Sequence, residues 1–145
     1  MATLADSNVL LRCLQRAHPM HAEAWRAIRL LKRRGELFIA PQNIVELWVV
    51  ATRPIAQNGL GVSPTAATAY LNRFKRFLPL LPDTAEVHDQ WEHLVSQYEV
   101  SGKKAHDARF VASMLVHGLD TVLTFNVDDF KRYTSITVLH PKDVT

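Results

Sequence analysis

The chain alternates short apolar runs with longer amphipathic segments, and that alternation constrains its fold more than any other feature. Thr3-Leu4-Ala5, Leu37-Phe38-Ile39-Ala40, Thr121-Val122-Leu123-Thr124-Phe125 and Ile136-Thr137-Val138-Leu139 are short and almost uniformly apolar or β-branched. Such runs read as strands that a parallel sheet buries on both faces. Leu78-Pro79-Leu80-Leu81 is a weaker strand, confined to an edge because proline cannot donate to the ladder. The intervening segments are helical. Val9–Leu14 is a short helix broken near Pro19, and His21–Arg34 carries Ala24, Ala27, Ile28 and Leu31 at helical spacing before Gly35 stops it. Asn43–Ala51 closes at Arg53-Pro54, and residues 54–62 form a loop. Ser63-Pro64 starts a helix to about Phe77. Thr84 to about Val100 follows, then His106–His117 ended by Gly118, and a helical turn over Asp128–Tyr133. Strands alternating with helices predict an α/β layered fold around a mainly parallel sheet, with its functional crevice beyond the carboxyl ends of the strands.

Composition narrows the classes. A chain of 145 residues suits one domain spanning 1–145, and 48% hydrophobic with 21% charged residues excludes disordered, collagen-like and coiled-coil chains. The single cysteine, Cys13, excludes an internal disulfide framework and a multi-cysteine zinc site, and fits a reducing compartment. No segment resembles a secretory signal or an 18-residue apolar span, so a cytoplasmic protein without a membrane segment is expected. Net charge is +3, which favours anionic partners. The cations bunch at Arg26, Arg29, Lys32, Arg33 and Arg34, at Arg73, Lys75 and Arg76, at Lys103-Lys104 and at Lys131-Arg132. The first bunch also has a plain explanation, since cations complement the end of a helix. No H-E-x-x-H, G-x-x-x-x-G-K-[ST] or G-x-G-x-x-G pattern occurs, which leaves zinc peptidase, P-loop and dinucleotide-binding functions unsupported. His18 and His21 read as surface or capping residues, Trp25, Trp48 and Trp91 as packing anchors, and Cys13 as a buried small hydrophobe.

The acids are more informative. Asp6 ends the first strand, Glu46 lies on the helix after the second, and Asn126, Asp128 and Asp129 follow Thr121–Phe125. Asp107 opens the helix leading into that same strand. Glu46 has seven apolar residues around it between Ile44 and Ala51; a helix apolar all round is buried, and an ionised carboxylate there needs a partner or a metal. A narrow solvent-facing stripe or an arginine salt bridge would also explain it. Asp6 and Asp107 have the alternative of being helix N-caps, and Thr124 that of an ordinary strand residue. Acids converging on one rim would raise one another's pKa and require a cation. All-oxygen ligands select hard ions, Mg²⁺ or Mn²⁺. An acidic centre within a basic surface reads as a nuclease.

Four motifs now carry a resemblance over about Leu4 to Pro141. Asp6-Ser7-Asn8-Val9-Leu10-Leu11, Ile44-Val45-Glu46-Leu47, His106-Asp107-Ala108 and Thr124-Phe125-Asn126-Val127-Asp128-Asp129-Phe130 occur in order and with similar spacing to those of PIN-domain ribonucleases. More narrowly, the chain resembles VapC-type toxins of bacterial toxin–antitoxin pairs. The resemblance implies an α/β/α sandwich with a central parallel sheet of four or five strands, and Asp6, Glu46 and Asp107 as metal-coordinating acids. Family members place the fourth acid at Asn126 or at the acid before phenylalanine; Asn126 is neutral, so Asp129 is favoured over Asp128. Ser7, Asn8 and Thr124, with Asn126 and Asp128, would support the site. The resemblance further implies an RNA substrate, a small antitoxin inserting near the acids, and a homodimer.

The reading is therefore a Mg²⁺- or Mn²⁺-dependent endoribonuclease, the toxin of such a pair. A catalytically degenerate relative that binds RNA or a partner is the alternative, motivated by Asn126. A phosphatase-like hydrolase with Asp6 as nucleophile ranks third, because that pattern wants a second Asp where Asn8 stands.

Overall fold

Every strand sends alternate side chains to opposite cores, and this period of two builds the layers. The structure, a computed structural model, describes residues 1–145. Its strands are β1 (Thr3–Ala5), β2 (Leu37–Phe38), β3 (Thr121–Leu123) and β4 (Thr137–Leu139). Leu4, Phe38, Val122 and Val138 pack into one core, and Ala5, Leu37, Leu123 and Leu139 into the other. Around them run α1 (Ser7–Leu14), α2 (His21–Arg33), α3 (Pro41–Thr52), α4 (Pro64–Phe77), α5 (Ala85–Gln97) and α6 (Lys104–His117). The second core takes α1 to α4, through Val9, Ile28, Leu47 and Phe74; the first takes α5 and α6, through Leu94, Phe110 and Met114. The result is a three-layer α/β/α sandwich: the layered α/β fold that the alternation of strands and helices predicts, in the form that the resemblance implies.

All strand pairs are parallel, in the order β2-β1-β3-β4. The chain leaves β1 toward β2 on one side and returns to β3 on the other. The switch point thus lies between β1 and β3, where an open α/β sheet forms its crevice.

Several boundaries differ from expectation. α3 starts at Pro41 rather than Asn43, with proline at a first-turn position that needs no N–H donor. The expected edge strand over Leu78–Leu81 reduces to one parallel bridge, Ile39 to Leu80, flanked by hydrogen bonds to Pro79 O and from Leu81 N. α6 begins two residues earlier than read, at Lys104. Gly118 ends it in the left-handed region at φ +72°, a conformation that costs glycine nothing. The loop after α3 holds a short 3₁₀ turn, Ile55–Gln57, and another, Val127–Phe130, follows β3. No helix is long and apolar enough to cross a membrane.

Candidate active site

Parallel topology alone brings the acids to one rim. Helices α1 and α3 follow their strands and begin at the carboxyl edge of the sheet. α6 precedes β3 and runs against it, so its first turn returns to the same edge. Asp6 directly follows β1, Glu46 sits in the second turn of α3, Asp107 in the first turn of α6, and Asp129 in the 3₁₀ turn after β3.

Asp6 occupies the N-cap position of α1, but its side chain does not cap the helix. It is only 8% exposed, and its Oδ2 accepts a 2.8 Å hydrogen bond from the Thr124 hydroxyl across the switch point. Thr124 in turn accepts from Asn8 Nδ2 at 3.2 Å and from the Asn126 backbone N–H at 3.0 Å. Asn8 Oδ1 accepts from the Phe125 N–H at 3.3 Å. These bonds lace the end of β1 to the end of β3 and hold Asp6 in one orientation. Burial pushes the Asp6 carboxyl up to about 7, with the charges of Asp107 and Glu46 adding to the rise and the Thr124 bond opposing it.

Asp107 is half-buried and is not a cap, because α6 starts before it. Burial, then the neighbouring charges of Asp129 and Glu46, push its carboxyl up to about 6, while Lys104 and Arg132 draw it down. The two perturbed acids and their perturbers form one coupled group: Asp6 feels Asp107 and Glu46, and Asp107 feels Asp129 and Glu46.

Glu46 departs from expectation. Its helix is not buried all round: Asn43, Leu47 and Ala51, a stripe at intervals of four, are its buried residues, with Ile44 packed partly buried against the same core. Val45 is 63% and Val49 50% exposed. Glu46 is consequently half-buried rather than enclosed in apolar surroundings, and its Oε2 accepts a 2.9 Å bond from Gln42 Nε2. Gln42 also donates to the His106 carbonyl at 2.8 Å, so one amide ties Glu46 to the turn that carries Asp107.

At the fourth position, Asp129 is half-buried, bears on Asp107 and pairs with Lys104 at 3.3 Å. Asp128 points away: it is 86% exposed and paired with Lys131 at 2.5 Å, which lowers its pKa. The Asn126 side chain is exposed, and its backbone alone joins the network. Ser7 Oγ accepts from Asn43 Nδ2 at 3.1 Å.

Asn43, Gln42 and Trp91 were not singled out from the sequence as site residues. Asn43 is fully buried; its Oδ1 accepts from Ala40 N–H at 2.7 Å, and its Nδ2 donates to Ala5 O at 3.0 Å as well as to Ser7. It therefore joins β1 to the start of α3. A lone amide on the i, i+4, i+8 stripe of Leu47 and Ala51 was the available signal. Trp91 Nε1 donates to Ala105 O at 2.8 Å and steadies the start of α6; nothing in its spacing marks that contact.

No three acidic, histidine or cysteine side chains are drawn together into a closed ligand set as they stand. The donor chemistry nonetheless fits a hard divalent cation, since carboxylate, amide and hydroxyl oxygens are the ligands on offer. Burial raises both Asp6 and Asp107, and neighbouring carboxylates add to the rise at each, Asp107 and Glu46 at Asp6 and Asp129 and Glu46 at Asp107, a crowding of negative charge that such an ion would relieve.

With this geometry in view, comparison with known proteins is decisive at the level of family. The PIN domain model matches residues 3–135. The chain belongs to the PIN-domain family. Members of this family are generally nucleases and typically use divalent metal ions. No curated protein matches the chain in sequence. Among solved structures, its fold is similar to that of a chain in DNA-bound VapBC from Salmonella typhimurium, with TM-score 0.74 and 16% identity over 97% of this chain and 98% of that one. VapBC2 from Rickettsia felis, bound to a DNA fragment from its promoter, gives TM-score 0.72 and 14% identity, again over 97% and 98%. A toxin–antitoxin complex from Klebsiella pneumoniae gives 0.62 and 18% over 97% and 98%.

Proposed function

We propose that this PIN-domain protein is a Mg²⁺- or Mn²⁺-dependent endoribonuclease, the toxin of a toxin–antitoxin pair. One observation supports the reading: acids from four separate segments lie along the carboxyl edge of the sheet, and the two with raised carboxyls, Asp6 and Asp107, are 101 positions apart in the chain, with the charge of Asp107 adding to the rise at Asp6. Asp6, Glu46, Asp107 and Asp129 would hold the ion. A bound divalent ion supplies an activated water and stabilises charge developing on a phosphodiester. The chain's own residues do the positioning: Thr124 and Asn8 fix Asp6, Gln42 fixes Glu46, and Trp91 steadies the turn bearing Asp107. Arg132 bears on Asp107 and forms no ion pair of its own, which suits it to a substrate phosphate. RNA loops are the favoured substrate, because their bases and backbone are accessible where A-form duplex is not.

The partners follow from the VapBC likeness, which suggests an antitoxin reaching the acids, and from apolar surfaces beyond the rim along which such partners could dock. Antitoxin and homodimer both need docking faces. Val45, Trp48, Val49 and Ile55 form an exposed apolar face on and beyond α3, suited to a second copy. The cleft between α1, α2 and α4, with Arg16, Arg73, Arg76, Trp25 and Phe77, suits an acidic amphipathic segment of the antitoxin. Cytoplasmic residence fits a toxin acting on cellular RNA.

Purified protein incubated with mixed RNA in Mg²⁺, Mn²⁺ or EDTA tests the activity, run beside Asp6→Asn. Cleavage with metal, none in EDTA and none by the variant is the expected pattern. The rival reading, a non-catalytic RNA- or partner-binding relative, predicts equal RNA binding in Mg²⁺ and EDTA and no shortening.

A further inference from the structure

Three of the four rim acids already have a partner within the chain, and one of those partners is a cation. Asp6 is held by Thr124, Glu46 by Gln42, and Asp129 by Lys104. Lys104 Nζ lies 3.3 Å from Asp129 Oδ1, with the two side chains 49% and 37% exposed. Lys104 is the first residue of α6, one turn before Asp107, so its ammonium also acts on that acid and opposes the push from Asp129. Arg132 is the other cation acting there. An ammonium on a flexible four-carbon stem can reorient without moving the backbone. An ion pair this open to water is weak and exchanges readily. A hard divalent ion seeks the same carboxylate oxygens and brings twice the charge.

We propose that Lys104 is an internal counter-ion of the rim: a divalent ion displaces it from Asp129, and the freed ammonium then pairs with a phosphate of the bound RNA. This rests on the rim being the metal site of a nuclease. The same side chain thus competes with one ligand and assists the other. Losing its charge has opposite effects on the two, which a merely structural contact would not produce.

Calorimetric titration of the full chain with Mn²⁺, for wild type and Lys104→Gln, reads the first effect. The variant should bind Mn²⁺ about two- to fivefold more tightly, the range that a weak exposed pair represents. Introduced into Asp129→Asn, the same substitution should give a smaller gain, since Lys104 then acts on Asp107 alone. Steady-state cleavage at saturating Mn²⁺ reads the second effect: the KM for RNA should rise about two- to fivefold, with a salt dependence shallower by about one unit of log–log slope. Lys104→Arg should recover most of the KM. Wild-type Mn²⁺ binding with no gain in Lys104→Gln, or a gain just as large in Asp129→Asn, overturns this inference and leaves the metal site standing. Tighter Mn²⁺ with an unchanged KM overturns the transfer to phosphate. If neither protein binds Mn²⁺, the metal site and this inference fall together. Circular dichroism confirms that the variants are folded.

Discussion

The acidic rim and the cleft between α1, α2 and α4 lie at opposite ends of the same short helix, α1. Asp6 stands before its first residue, whereas Cys13 and Leu14, at its end, line the cleft. At about 1.5 Å per residue these positions are roughly 10 Å apart along the axis. The cleft is a concavity of about 780 Å³, with Trp25, Tyr70, Phe74 and Phe77 among its walls. Shape alone would make it the reactive centre. Its chemistry does not: it offers arginines, aromatic rings and the Cys13 thiol, which burial pushes up to about 12 and so keeps protonated. The rim holds two carboxyls raised by burial and by neighbouring carboxylates, the kind of perturbation that clusters at functional sites. On the proposed function, charge rather than volume separates reaction from recognition. The basic bunches divide in the same way. Arg73 and Arg76 line the cleft, and Arg29, Lys32 and Arg33 a depression beside it, whereas Lys104 and Arg132 face the acids.

The sharpest way to break this division is to exchange the roles of its two halves. Asp107→Asn should lower RNA cleavage by roughly a thousandfold, the loss of several kcal/mol of charge stabilisation. Joint reversal of Arg73 and Arg76 to Glu should leave the cleavage rate within about twofold of wild type while weakening capture of a partner at the cleft. A large fall in rate from that reversal would merge the two regions into one site.

A second test asks whether the rim is strained by its own charge. Asp6 binds its proton more tightly folded than unfolded, so the folded chain holds the extra proton between about pH 4 and 7 and stability falls as pH rises through that window. In EDTA at pH 7.5, Asp6→Asn should therefore be more stable than wild type by about 2–4 kcal/mol, from a rise of 3.8 to about 7 at ~1.4 kcal/mol per unit. The difference should vanish near pH 4 and shrink with added Mn²⁺. Urea unfolding across the pH range measures it; a flat difference would show that Asp6 is not under this load.

Asn43→Ala should act in the opposite sense, lowering stability by about 2–4 kcal/mol because Ala40 N–H and Ala5 O lose their buried partner. The urea midpoint gives the value. The smallest effect belongs to Arg132→Gln, which should raise the KM for RNA about two- to fivefold at low salt and little at high salt.

The layers of the fold were legible because each strand is short and apolar and the helices between them have clear starts or stops, such as Ser63-Pro64 or Gly118. The Ser63 hydroxyl does accept from Ala66 N–H at 3.1 Å. What period and punctuation could not give was the depth of each helix. Ile44–Ala51 reads as apolar on every side, yet most of that surface faces out, because only a neighbouring layer decides which apolar stripe is covered. The same gap explains Leu78–Leu81, where propensity suggested a strand but proline left a single bridge. At the rim, the approach of Asp6, Glu46, Asp107 and Asp129 followed from strand ends and resemblance. The amides and the lysine that hold them were silent, since Asn43, Gln42 and Lys104 gain meaning only from partners distant in sequence.

The sheet's order also bears on synthesis. β1 leaves the ribosome first, but one of its two neighbours is β3, with Thr3 opposite Thr121. Until Thr124 and Asp129 have been translated, Asp6 lacks both its hydroxyl partner and its fourth companion. A nascent chain that stops short of β3 thus holds Asp6, Glu46 and Asp107 without the contacts that orient the first and without the fourth acid, so the rim as a whole is a late product of folding.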